Sequence, residues 1–195
     1  MRLHILLTLT MTACVSSANL RQGDALTTDT IVIGRWLRYE GTNPDTAKPG
    51  SWLDRGIFGG SLTCGGYLET NAGKMMAIDI RDDGFFAAKA SDGTPPAAVT
   101  LFCQNVSSGG SPSVMTVGSS LYTIGFVPSK TFLQGKIHVL PSRKFYFSSS
   151  KAVVPVLQQR MEGGGHDDTM RLFNAEYPAL STFPTIKIAE DGFGQ

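Results

Sequence analysis

Between residues 30 and 148 this chain repeats one pattern: a short run rich in β-branched and aromatic residues, closed by a turn signal. Runs of that length suit strands and are too short for most helices. The pattern predicts strands over 30–40, 61–69, 74–81, 85–89, 98–105, 114–117, 121–127, 135–140 and 144–148. Gly, Pro, Asp and Ser fill the intervals, with longer loops at 41–51 and 107–113. Asp82-Asp83-Gly84, between the fourth and third of these apolar runs, is the plainest hairpin signal, because Gly accepts positive φ without a Cβ clash. Many short strands with regular turns predict a sandwich or a barrel.

One late segment has a different period. After Gly163-Gly164-Gly165-His166, residues 167–177 place Met170, Phe173 and Tyr177 on one helical face. Asp167 or Asp168 is the expected N-cap, and Pro178 ends the helix by pushing the preceding residue out of the helical region. Residues 185–189 read as a final edge strand.

The first fourteen residues have the layout of an export signal: Arg2, a short apolar run, then Met11-Thr12-Ala13-Cys14. That ending resembles a bacterial lipobox, in which Cys14 is lipidated and becomes the mature N-terminus. Ser16-Ser17-Ala18 offers an ordinary cleavage site as an alternative, and a chance apolar N-terminus is the third reading. The expected organisation is therefore signal and lipidation site over 1–14, a polar tether over 15–30, and one domain over 31–195. The resemblance to lipoproteins implies attachment to the cell envelope, with Val15 rather than Asp after the cysteine pointing to the outer membrane.

Removing residues 1–13 takes away Arg2 and no acid, leaving sixteen basic against sixteen acidic side chains. This neutral balance argues against nucleic acid as a partner and leaves membrane attachment to an acyl anchor. If Cys14 is lipidated or removed, Cys64 and Cys103 remain as an even pair. In an oxidising compartment they are expected to form a disulfide; two separately buried thiols are the alternative.

Residues 74–103, with GFFAAKASDG followed by AVTLFC, resemble the central hairpin of transthyretin-like (prealbumin-like) β-sandwich domains. Residues 126–129 and 132–139 are similar to a pattern in small bacterial lipoproteins carrying such a domain, where a short helix like 167–178 follows. The resemblance covers about residues 30–180. It implies a mainly β, immunoglobulin-like or transthyretin-like sandwich with one short C-terminal helix, and supplies no catalytic residues. Lipoproteins of type VI secretion carry a sandwich of this kind, which implies a scaffolding role.

His166-Asp167-Asp168 is the densest polar constellation. It has the donor types of a metal site, although helix capping is the commoner use of such aspartates. His138 is expected to be half-exposed in its strand. There is no G-x-S-x-G elbow and no Gly-rich phosphate loop. Trp36, Tyr39, Trp52 and Phe58 flank the 41–60 region and are candidate partner-binding residues; the alternative makes Trp36 core and Trp52 a pin for the loop. These readings together predict a lipoprotein that binds or scaffolds an envelope protein, with no cofactor and no catalysis of its own. The rivals are a small exported hydrolase or metal-dependent enzyme, and a secreted inhibitor or carbohydrate-binding module.

Overall fold

A computed structural model describes residues 16–24, 29–41, 43–52, 61–90, 96–106, 121–126, 132–147 and 157–189. Its strands are β1 Ser16–Ser17, β2 Thr30–Glu40, β3 Lys48–Gly50, β4 Ser61–Thr70, β5 Met75–Ile78, β6 Phe85–Ala90, β7 Pro96–Val106, β8 Leu121–Phe126, β9 Ile137–Val139, β10 Arg143–Phe147, β11 Leu157–Gly163 and β12 Thr185–Lys187. One helix, α1, spans Asp167–Glu176, and a 3-10 turn at Pro178–Leu180 follows it. The fold is mainly β, as the turn-punctuated pattern predicts. The expected strand at 114–117 lies outside the described residues.

Two sheets form. One has the order β1-β5-β4-β7-β8. The other runs β11-β10-β2-β9-β12, with β3 and β6 also paired to β2. The N-terminal half of β2 lies between β6 and β9, and its C-terminal half between β3 and β10. Both faces of the N-terminal half of β2 are covered, which is why Ile31–Ile33 is a continuous apolar run, whereas from Arg35 on burial alternates. Val32 and Trp36 face a core shared with the other sheet, built from Phe86, Phe145, Leu68, Val99, Leu101 and their neighbours. Ile31 and Ile33 face a second core, with Phe85, Ile137 and Val139, under Phe173 of α1 and Tyr177 at its C-terminal end. The molecule thus has three layers: sheet, sheet and helix.

The ladders are mixed. Among the described strands β2 is parallel to β9 and β10, β12 to β9, and β1 to β5, whereas immunoglobulin-type sandwiches are built of antiparallel sheets.

Several expectations need correction. Asp82-Asp83-Gly84 does make a tight turn, with Gly84 at φ +80° and its N–H donating to the Arg81 carbonyl at 2.8 Å. It is not a hairpin turn, because β5 pairs with β4 while β6 pairs with β2. The turn carries the chain from one sheet to the other. The β6–β7 region likened to a central hairpin is split in the same way, since β7 pairs with β4 and β8. The polar stretch expected as a tether is folded over 16–24, where Ala18 and Leu20 are buried. Strands β3 and β11 fall in stretches read as loop or left unassigned.

Gly84 fixes the point where β2 changes partners. Its carbonyl accepts the Trp36 N–H at 2.8 Å, and a Cβ built on it would stand 2.2 Å from the Trp36 carbonyl oxygen. Backbone cannot yield as a flexible side chain does. Gly84→Ala is expected to lower unfolding free energy by about 2–4 kcal/mol, from left-handed strain plus overpacking. Denaturant titration would check this, and a loss below half a kilocalorie would show that the turn relaxes freely.

Candidate functional site

The helix-facing side of the seven-stranded sheet changes character along its length. Under α1 it is apolar. Where α1 begins, the β2 face continues as Arg35 and Leu37, with Lys144 of β10 in register with Leu37. These residues floor an open cleft of about 400 Å³, whose rim is Ser142, Gly164, Gly165, Asp167 and Asp168. Local hydrogen bonds hold that rim. Gly164 N–H donates to the Ser142 carbonyl at 2.8 Å, and Ser142 N–H donates to the Gly165 carbonyl at 3.3 Å. Gly164 is therefore pinned to the strand connection opposite.

The aspartates are inside the first turn of α1, not at its cap. His166 holds the N-cap position without a side-chain capping bond. Its Nε2 donates to the Ile188 carbonyl at 2.8 Å. Asp168 pairs with Arg35 at 3.0 Å, and Asp167 with Lys187 at 3.3 Å. Arg35 Nε also donates to the Asp83 carbonyl at 3.1 Å, which ties the cleft floor to the intersheet turn. Carboxylates in the first turn complement the positive end of the helix dipole, so the pair has a structural use without capping. Among the described residues no three His, Cys, Asp or Glu side chains converge as a metal would require, and His166, Asp167 and Asp168 point to different partners.

Arg35 and Lys144 were not singled out from sequence. Arg35 left a signal: it breaks the apolar row Ile31-Ile33 at the next position on the same face. Lys144 left none, since a parallel ladder brings it to β2 from more than a hundred residues away.

The aromatic candidates separate. Trp36 and Trp52 are core, 0% and 2% exposed. Trp52 Nε1 donates to the Trp36 carbonyl at 2.7 Å, and its ring meets Phe145 and Phe147 edge-on. Trp52 thus pins its loop to β2 and offers no exposed stacking surface. Tyr39 is half-buried and stacks on Tyr146 at 5.2 Å between centroids. Phe58 and Cys14 lie outside the described residues. Cys64 and Cys103 occupy directly opposed positions of the antiparallel β4–β7 ladder.

His138 is buried, contrary to the half-exposed expectation. Leu133 N–H donates to its Nε2 at 2.9 Å, Phe132 meets the ring edge-on, and Nδ1 has no partner among the described residues. Burial holds its pKa below the ordinary imidazole value, against a smaller opposing effect of the Leu133 carbonyl, 3.2 Å from Nε2, which can accept from the protonated ring. A depressed folded-state pKa makes protonation favour unfolding. Stability should therefore be level above about pH 6.5, the unfolded-state value, and fall as pH drops below it. Thermal melts at pH 7.5 and 5.5 should show this fall in the wild type and a smaller one in His138→Gln. Equal falls in the two proteins would contradict it.

No family model matches the chain, and neither the curated proteins nor the solved structures searched contain a match. Among the described residues no helix is long and apolar enough to cross a membrane.

Proposed function

We propose that this chain is an exported lipoprotein, anchored through Cys14 to the cell envelope at the outer membrane, whose β-rich domain binds or scaffolds an envelope protein without catalysis. Its leader supports the anchor. The observation that carries the binding role is the cleft at the start of α1, where Arg35 and Lys144 face Asp167 and Asp168. Both charge signs within one concave surface suit a polar protein segment that presents both signs in turn, since matched charges steer and orient association. The reading keeps a transthyretin-like scaffold as what the sequence likeness of 74–103 implies, with the parallel ladders and the entry of β6 and β7 into different sheets as its departures. It also includes a Cys64–Cys103 bridge, because directly opposed Cα atoms of an antiparallel ladder lie about 4.5–5.5 Å apart, within the span a disulfide needs.

The test is capture of envelope proteins by chemical cross-linking in cells producing the wild type or Arg35→Glu/Lys144→Glu. Arg35 is only 21% exposed and also binds the Asp83 carbonyl, so capture is compared at matched levels of folded protein, and Lys144→Glu alone, at an exposed position, reads the contact without loss of those bonds. The double variant should lose at least about tenfold of the wild-type capture, or ~1.4 kcal/mol. Undiminished capture would remove the cleft as the contact. Loss of a chemical turnover, found in place of loss of capture, would favour the enzyme reading.

A further inference from the structure

The segment Ser16–Asp24 ties both sheets and the helix together. Ser16 and Ser17 pair in parallel with Met76 and Ala77 of β5. Ala18 N–H donates to the Ala77 carbonyl at 2.8 Å, and the Ala18 carbonyl accepts the Lys89 N–H of β6 at 2.7 Å. Asn19 holds Asp79 from both ends: its Nδ2 donates to the carboxylate, and its Oδ1 accepts the Asp79 N–H at 2.9 Å. Leu20 N–H donates to the Ala87 carbonyl at 2.9 Å, while the Leu20 carbonyl accepts the Tyr177 hydroxyl at 3.1 Å. Asp24 pairs with Lys89 at 2.9 Å, an interaction that holds its carboxyl below the usual pKa. Ala18 is buried in the core between the sheets and Leu20 in the core beneath α1.

The small residues Ser16-Ser17-Ala18 are also what an ordinary signal-peptide cleavage site consists of. At Ala18, packing gives the small residue a role of its own. Ala18 is 2% exposed, in the core between the sheets, and its backbone bonds to both sheets. We infer that processing leaves Ser16–Asp24 on the mature chain, so that the boundary lies upstream of Ser16 and not after Ala18. The inference rests on the export reading above. Cleavage after Ala18 would strip β1 from the sheet edge, uncap Ala77 and Lys89, and open the intersheet core at its side. It has a consequence for the anchor. If Cys14 is the first mature residue, the Ser16 Cα stands within about 7 Å of it, at the chain's maximum reach per residue. The domain would then rest directly on the membrane, with no tether between.

The experiment is to produce the full chain in a bacterial host, isolate it from the envelope, and determine its N-terminal residue and intact mass. The expected product begins between Cys14 and Ser16. A product beginning at Asn19 overturns the boundary while leaving export in place. A product that keeps Met1 overturns the export reading and the boundary with it. A second arm uses the full chain with Ala18→Asp, which puts a carboxylate into the intersheet core. Its melting temperature should fall by roughly 5 °C or more, at about 2–4 °C per kcal/mol for a chain of this size. An unchanged midpoint would show that the segment is not part of the folded body and would overturn the inference.

Discussion

Trp36→Ala is expected to cost about 3–5 kcal/mol of stability, the range for removing a fully buried large aromatic. The indole is 0% exposed and sits 4.7 Å from the Phe86 ring and 6.1 Å from Phe145. Its own backbone carries two further roles: the N–H is bound by Gly84 and the carbonyl by Trp52 Nε1. The vacated space lies where the two sheets meet, between side chains fixed by ladders on both sides, so collapse into it is limited. The loss should appear in denaturant unfolding at neutral pH. A variant with near-wild-type stability and impaired partner capture would restore Trp36 as a contact residue and contradict its place in the core.

Reduction of the proposed Cys64–Cys103 bridge is expected to cost a similar amount. Such a bridge would close a loop of roughly 40 residues, for which the chain-entropy relation gives about 4 kcal/mol. Forming it removes one hydrogen from each thiol, with two electrons and two protons passing to a thiol–disulfide oxidant of the exporting compartment. The purified, exported protein should be lighter by two hydrogens than after reduction. Reduction, or Cys64→Ser together with Cys103→Ser, should lower the unfolding midpoint in parallel. Two titratable free thiols in protein taken directly from the envelope would refute the bridge, whatever the register.

The parts of this architecture that local chemistry determines were legible in the sequence. β2 was read to its ends because β-branched and aromatic residues fill it. The helix and its stop at Pro178 followed from period and proline, and Phe173 and Tyr177 do face the core. The turn at Gly84 was legible as a turn. Which strands it joins was not, because a turn residue specifies a chain reversal and not the sheet each strand enters. The 16–24 segment looked like a linker because Ser, Asn, Gln and Asp dominate it. Those side chains bind specific backbone and carboxylate partners, and only Ala18 and Leu20 are buried apolar residues. β11 has only Leu157 and Met161 among Gln, Arg and Glu and leads into glycines, so no apolar run marked it as a strand beside β10.

The site was less legible than the fold. His166, Asp167 and Asp168 were noticed because they are adjacent in sequence, yet their bonds go in separate directions. The cleft is made instead by Arg35 and Lys144, which the parallel β2–β10 ladder brings together. Trp52, among Gly, Pro and Ser, could be read as a partner contact or as a pin for its loop; its burial and its indole hydrogen bond to the Trp36 carbonyl make it the pin.

Membrane attachment through Cys14 is the claim on which the proposed function depends, and fractionation of the envelope tests it most directly. One acyl chain binds a bilayer only marginally, so a stably anchored protein carries more than one. The wild type should sediment with membranes and resist extraction by salt, while Cys14→Ser, produced at the same level, should appear in the soluble fraction. Sedimentation of Cys14→Ser at the wild-type level would contradict the lipoprotein reading.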